Sequence, residues 1–384
     1  MLLVTGLALL VGLVILYLSA VRSYSTVIQT DFGIFFHALQ AQRAGGSFYA
    51  PNAASYWSSP YVASPLLDLA PPHLHLLIWP LTALPYHVAY VVWVSANALA
   101  CLTSLVLISR ELDIRWRDLT LVWFVVALLT AQWVTFTTVV SGQYSWLLLL
   151  PATLAWRALR HDRWPAAFAW LGVMLSAKPF PLVFIVYALW RRRWSAPVVM
   201  LGVAGALAAL GAATFGVDTY REWLRVLRGA SSEPSIFGNV SLPGLAARWA
   251  GPSQVFQPLP VSALLVRGSV ALAGASLVAA TIARVRTADA DRTWLMLWTM
   301  SWLVSPVAWS YYGSWVLPGV MAVGRSERWL ERPAIYLVVA ALACPALLPD
   351  LWGWRALSTL LTGSLCCYVM LWLWSRGWRE ASER

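Results

Sequence analysis

Asp31 follows the first apolar run, residues 2–21, almost directly, in Thr30-Asp31-Phe32-Gly33-Ile34-Phe35-Phe36-His37. A carboxylate set among apolar side chains at a bilayer surface loses solvation, so its basicity rises and it becomes suited to taking a proton from a hydroxyl. The same residue suits a helix N-cap, with Thr30 or Asp31 capping a helix that begins at Phe32, and a cap would hold the carboxylate still. Lys178 is the only lysine among 27 basic residues and lies in Ser176-Ala177-Lys178-Pro179-Phe180-Pro181 between two apolar runs. There an ammonium can hold a phosphate anion or snorkel from a helix end to the membrane surface.

Other polar groups stand apart from the apolar background: His37, His73 and His75, Ser141-Gly142-Gln143, the segment from Asn239 to Arg248, and Ser305-Pro306. His73 and His75 form an H-x-H pair flanked by prolines with no carboxylate at ligand spacing, which favours hydrogen-bonding or packing histidines over a metal site. Asp31 with Asp68 could seat a divalent ion, but metal is not favoured. Arg221, Arg225, Arg228 and Arg248 are cations that suit an anionic ligand, with a solvated amphipathic helix over 220–228 as the plainer alternative. The four cysteines, Cys101, Cys344, Cys366 and Cys367, all lie in apolar runs and suggest neither a disulfide framework nor zinc.

These groups must be positioned by membrane helices. Of the 384 residues, 60% are hydrophobic and 11% charged, with a mean hydropathy of +0.67, far outside the range of soluble domains. The expectation is an all-α polytopic membrane protein, a single transmembrane domain over 1–384, with residues 2–21 a retained first helix rather than a cleaved leader. Six short segments carry three arginines each: 110, 115 and 117; 157, 160 and 163; 191, 192 and 193; 284, 286 and 292; 325, 328 and 332; 376, 379 and 384. The positive-inside bias assigns them to the cytoplasm.

Threading apolar runs between these anchors gives about 10–12 spans, near 2–21, 88–109, 119–136, 143–159, 165–177, 180–190, 196–216, 261–283, 293–305, 308–323, 334–348 and 356–374. Those around Lys178 and Pro306 are shorter than a full crossing and read as tilted or re-entrant. Two long outer segments follow, 22–87 and 217–260. The first holds an amphipathic stretch over 35–44 and a proline-broken stretch over 71–80, both juxtamembrane helices. The candidate groups then gather in a cavity at the outer face.

No Walker or dinucleotide glycine pattern and no Ser-His-Asp motif is legible, and the arginines form no nucleic-acid stripe. An outward-facing enzyme without nucleotide access needs an activated substrate carried in the bilayer. The rival class is a transporter or flippase of a lipid-linked or anionic substrate, which would show internal repeats and polar groups at mid-membrane.

Asp31-Phe32 followed by Gln40-Ala41-Gln42-Arg43-Ala44-Gly45-Gly46-Ser47-Phe48-Tyr49 resembles the opening of the bacterial polyprenyl-phosphate-mannose-dependent α-1,2-mannosyltransferase family, in the C-type glycosyltransferase superfamily. Matching segments follow in the family's order: Pro71-Pro72, Ser141-Gly142-Gln143-Tyr144-Ser145, Ala177-Lys178-Pro179-Phe180-Pro181, Asn239-Val240-Ser241-Leu242-Pro243-Gly244 with Arg248, and Ser305-Pro306-Val307-Ala308-Trp309. The resemblance implies a C-type helical bundle in the bacterial inner membrane with its site facing the periplasm or cell exterior. It implies transfer of mannose from a polyprenyl-phosphate donor to a lipid-linked glycan or polysaccharide, with inversion and without a cofactor. Asp31 is then the general base; Lys178, Arg248, Arg225 and Arg221 hold the donor phosphate; His73, His75, Gln143, Asn239, Trp309 and Tyr311 are substrate contacts. Where the family often carries an acidic residue and a histidine after the Ser-Pro-x-x-Trp run, this chain has Ser310-Tyr311-Tyr312, so either Tyr311 stands in for the histidine or His73 or His75 serves from another loop.

Overall fold

A computed structural model of the protein describes residues 30–56, 65–114, 138–230, 239, 241–250 and 262–326. The expected spans 2–21, 119–136, 334–348 and 356–374, and with them Cys344, Cys366 and Cys367, lie outside the described residues. What is described is all-α; its only extended pairing is an isolated antiparallel bridge between Asn239 and Trp309.

Eleven helices are described: α1 (Thr30–Arg43), α2 (Tyr86–Glu111), α3 (Ser145–Arg160), α4 (Trp164–Ala177), α5 (Val183–Trp190), α6 (Ser195–Phe215), α7 (Val217–Ala230), α8 (Leu242–Ala250), α9 (Ala263–Val285), α10 (Ala290–Val304) and α11 (Leu317–Ser326). Short 3-10 turns link them, notably Pro72–Leu77, Trp79–Ala83, Phe180–Leu182 and Ser310–Val316. Helices α2, α6 and α9, at 26, 21 and 23 residues, are long and apolar enough to cross a membrane. The last two show bare apolar flanks: Val198 on α6 is 69% exposed and Leu264 on α9 is 80% exposed, as a lipid-facing surface requires.

Helix ends follow from local chemistry. Pro179 disfavours the α conformation at the residue before it, so α4 stops at Ala177 and Lys178 is extended, at φ −149° and ψ 142°. Gly216, at φ +86°, ends α6 and lets α7 set off in a new direction. Asp289 caps α10 by accepting the Arg292 N–H at 2.8 Å. The segment around Lys178 is a 14-residue helix, a 3-10 turn and an 8-residue helix, the broken pair of short spans that the prolines imply.

Helices α2, α3, α4 and α6 pack in succession, with α10 and α11 against α3. Helix α10 is the central post, buried from Thr293 to Leu303. Trp294, Trp298 and Trp302 repeat at the helical spacing of four and interlock with Phe184 and Trp315, at ring separations of 5.3–6.1 Å. In a bilayer such a column is held by close packing, about 0.5–1.5 kcal/mol per aromatic pair beyond burial, since lipid is as apolar as the core.

The molecule has two chemically different ends. At one, Glu111 pairs with Arg157 at 3.1 Å, Arg160 at 3.4 Å and His161 at 2.9 Å; Arg160 also pairs with Asp291 at 3.0 Å, and Arg193 with Asp162 at 2.6 Å. Four of the arginine-bearing segments therefore gather at a single end. The opposite end receives the start of α3, the ends of α4, α6 and α10, and helix α1.

Helix α1 takes in most of the stretch expected as an amphipathic juxtamembrane helix over 35–44, but it begins at Thr30 and its first two turns are packed inward. Phe32 through Phe36, with Ala38 and Leu39, are all buried. The cause is aromatic: Phe32 lies 5.5–6.1 Å from the rings of Tyr86, Tyr90, Trp93 and Phe36, so the helix is sunk into the bundle. The proline-broken stretch does form short helical turns, at Pro72–Leu77 and Trp79–Ala83.

Candidate active site

The bed for Asp31 is Ser141-Gly142-Gln143-Tyr144, and each residue has a separate task. The carbonyl of Ser141 accepts the backbone N–H of Asp31 and of Phe32, both at 3.0 Å, satisfying first-turn donors that a capping side chain would otherwise take. Gly142 has φ +76°, and a Cβ there would sit 2.4 Å from Cβ of Phe32, so only glycine permits this approach. Gln143 hydrogen-bonds the Asp31 carboxyl. Helix α2 holds the bed from behind: Trp93 Nε1 donates to the Gly142 carbonyl at 2.7 Å, the Tyr90 hydroxyl donates to that of Val139, and Asn97 Oδ1 accepts Leu147 N–H at 3.2 Å.

Asp31 is half-buried, still partly open to solvent. Burial, the largest influence, raises its pKa; the Gln143 hydrogen bond and the Lys178 ammonium pull it down, Asp68 pushes it up, and the outcome is about 7. A carboxyl with that value accepts a proton readily at neutral pH.

Lys178 faces Asp31 closely enough to act on its charge. Its Nζ lies 5.9 Å from the ring centre of Tyr144 and 5.7 Å from that of Tyr312, and it hydrogen-bonds both hydroxyls. Tyr312 is fixed by stacking on Trp315 at 4.9 Å and by Phe180 at 5.1 Å. Both phenols were missed as site residues; the available signal was their adjacency to Gln143 and Tyr311. The side chain of Tyr311 lies outside the described residues, and Tyr312 is the tyrosine seen beside the lysine.

The two histidines turn inward and are occupied by the protein. His73 Nε2 donates to the Ser176 carbonyl at 2.8 Å, and Nδ1 lies 2.9 Å from the Tyr220 hydroxyl. Burial lowers its pKa more than the Ser176 carbonyl raises it, and the Tyr220 hydroxyl beside Nδ1 donates to the Ala208 carbonyl at 2.9 Å. Gly211 makes room for this strut, since a Cβ there would lie 2.6 Å from that of His73. His75 Nε2 meets Asp68 Oδ2 at 2.6 Å, with both side chains nearly inaccessible. His37 stacks on Tyr86 at 5.5 Å and bonds Gln40 at 3.0 Å.

Asn239 works as a clamp. Its Oδ1 accepts Ala308 N–H at 3.0 Å and Ser241 N–H at 3.1 Å, while Nδ2 donates to the Pro306 carbonyl at 3.1 Å. It thereby ties the 239–244 segment to Ser305-Pro306 and carries Trp309, which is half-buried. Arg221 and Arg225 are not brought to Asp31 and Lys178. Arg221 is exposed and paired with Asp218 at 2.5 Å, and Arg225 is exposed on the same face of α7; the side chain of Arg248 lies outside the described residues. Among the described residues no group of three His, Cys, Asp or Glu side chains is placed to hold a metal ion.

A site at one end of a membrane helical bundle, with a carboxylate of raised basicity near a half-buried ammonium and two phenols, has the parts a membrane-embedded group-transfer enzyme needs. The match to known families makes this specific. The model of glycosyltransferase family 87 matches residues 69–306, more than half of the chain, and the chain belongs to that family. It is 24% identical over 317 residues to a polyprenol-phosphate-mannose-dependent alpha-(1-2)-phosphatidylinositol pentamannoside mannosyltransferase of Mycolicibacterium smegmatis, covering 82% of this chain and 71% of that protein. It is 27% identical over 169 residues to a polyprenol-phosphate-mannose-dependent alpha-(1-2)-phosphatidylinositol mannoside mannosyltransferase of Mycobacterium tuberculosis, covering 43% of this chain and 38% of that protein. No solved structure matches the chain.

Proposed function

We propose that the protein transfers mannose from a polyprenyl-phosphate donor to a lipid-linked glycan or polysaccharide acceptor at the periplasmic or external face of the membrane, in one inverting displacement. Asp31 takes the proton of the acceptor hydroxyl as its oxygen forms a bond to the anomeric carbon. The bond from that carbon to the phosphate oxygen breaks, and polyprenyl phosphate leaves with both bonding electrons. Its growing charge is met by Lys178 and the hydroxyls of Tyr144 and Tyr312, preorganised donors that need not rearrange during reaction.

The observation that carries this reading is the opposition of Asp31 and Lys178 across one partly open site. One is a proton acceptor, the other a half-buried cation whose described hydrogen-bond partners are phenol hydroxyls, and it suits an arriving anion. The arginine-rich opposite end supports an outward-facing site through the positive-inside bias. A lysine and two hydroxyls at the leaving phosphate reduce the need for a divalent ion, so a chelator is expected to leave transfer intact. Gln143 and Trp309 remain proposed sugar contacts, Gln143 alongside its bond to Asp31. Arg221, Arg225 and Arg248 are proposed to meet the donor only during its approach along the membrane surface.

The test is transfer of labelled mannose from polyprenyl-phosphate-mannose to endogenous acceptors in membranes, comparing wild type with equally expressed Asp31→Asn. Loss of transfer in the variant supports the reading. Equal signals above an empty-vector control would remove Asp31 as the base.

A further inference from the structure

Helix α7 stands outside the reacting groups just described, and its two faces differ. The inner face is bonded to the protein: the Tyr220 hydroxyl donates to the Ala208 carbonyl at 2.9 Å, Trp223 Nε1 donates to that of Leu69 at 3.2 Å, and the Ser47 hydroxyl donates to Glu222. These bonds keep the helix from rolling. The outer face presents Arg221, Arg225 and Arg228, at the i, i+4, i+7 spacing of one helical stripe and all exposed, with Leu224 46% exposed among them. Asp218 offsets Arg221 at 2.5 Å, and Glu222, the other acid of α7, is turned inward. The stripe stays net positive.

The height of α7 follows from α6. That helix has 21 residues, a rise of about 31 Å that matches the hydrocarbon core of a bilayer. Phe215 therefore marks the apolar edge, and Ala208 lies about 10 Å below it. A helix standing up in water above that edge would put the Tyr220 hydroxyl out of reach of Ala208, so α7 is held down among the headgroups. Helix α9 adds a cation at the same end. It runs toward Ala290 and Asp291, which pairs with Arg160 in the Glu111 cluster, so its first turns lie at the end of the bundle where α7 sits. Arg267, in its second turn, is exposed beside Leu264 and Leu265, and among the described residues no acid pairs with it. A guanidinium between lipid-facing leucines is stable where it reaches an anion at the membrane edge.

We propose that the outer stripe of α7 and the start of α9 form a docking surface for anionic phospholipid headgroups. Arg225 and Arg267 hold phosphate oxygens, and Leu224, Leu264 and Leu265 enter the acyl layer beneath. Charge decides the occupant: a zwitterionic headgroup brings its own ammonium against the arginines, and an anionic one does not. This goes beyond the proposed transfer and does not rest on Asp31 or Lys178.

The test attaches an NBD fluorophore at Leu224→Cys in the full chain, with the four native cysteines replaced by alanine, in nanodiscs of phosphatidylcholine and phosphatidylglycerol mixed equally. A nitroxide carried near the headgroup of one lipid or the other quenches by contact. Labelled phosphatidylglycerol should quench more than labelled phosphatidylcholine. Arg225→Gln should lower that preference by about fivefold, the worth of one cation at an anionic surface, and Arg225→Lys should keep it. Leu264→Cys reports on Arg267→Gln in the same way, and Leu272→Cys, lower on α9, should show no preference. Quenching by neither lipid at residue 224 would put the stripe in water, and equal quenching by both would leave the arginines without a role; each overturns the proposal. A preference that survives Arg225→Gln overturns it too, as does displacement of labelled phosphatidylglycerol by a stoichiometric amount of polyprenyl phosphate, which would make the stripe a donor site. The assay involves no mannose transfer, so its failure and that of the proposed function are read separately.

Discussion

As the proposed base, Asp31 acts only when ionised, and burial makes that form costly. With its pKa raised to about 7, transfer should rise with pH through that value on the acid side. A profile already flat by pH 5 would contradict the raised basicity. The same shift has a stability sign. Because the folded state holds this proton more tightly than the unfolded chain, stability from Asp31 is present below the ordinary carboxylate range and is lost as pH rises through about 7. Asp31→Asn should therefore be inactive yet more heat-resistant than wild type at pH 8, with the difference vanishing near pH 4; thermal unfolding in detergent at both values checks it. Tyr312→Phe keeps the stack on Trp315 and removes one hydroxyl from Lys178. Transfer should fall about tenfold or more, the worth of a hydrogen bond to a charged group, with little change in melting temperature.

At the scale of elements, the site depends on α1 being seated on the Ser141 to Tyr144 bed. Gly142→Ala introduces a Cβ 2.4 Å from that of Phe32 at a positive φ. The strain and overlap together should cost about 2–4 kcal/mol. A shift of α1 of about 1 Å should cut transfer by about a hundredfold in the protein that remains folded. Rates per folded molecule, separated from yield by size-exclusion, distinguish the two effects. The turn Pro72–Leu77 is a second brace: His73 reaches the carbonyl two residues before Lys178, and His75 reaches Asp68.

Across the whole molecule, binding and locking functions are divided between the two ends. The end opposite the site is tied by Glu111, which meets Arg157 and Arg160 from the last turn of α3 and His161 just beyond it. Glu111→Gln removes the charge that three basic groups share, and a loss of about 1–3 kcal/mol is expected because the carboxylate is buried while its partners are partly wet. Transfer per folded molecule should remain at the wild-type rate, since the change lies a full helix length from Asp31. Lowered thermal stability with unchanged turnover would support that division of labour, and a fall in turnover would refute it.

The sequence by itself determined the membrane architecture and the two groups that oppose one another. Long apolar runs make α2, α6 and α9 unavoidable, prolines at 179 and 181 force the break that exposes Lys178, and a lone aspartate or lysine in such a setting is conspicuous because desolvating it is expensive. Tertiary structure alone decided how α1 is seated, that Tyr312 comes to Lys178, and that both histidines turn inward. Tyr312 is held at the lysine by its stacking on Trp315, a contact between residues that no local pattern announces. Hydrophobic pattern reports only which side of an element is apolar. Where one polar side chain aims, and whether its hydrogen bonds go to protein or substrate, depends on residues far away in the chain: Ser176 and Tyr220 for His73, Asp68 for His75, and Pro306 and Ala308 for Asn239.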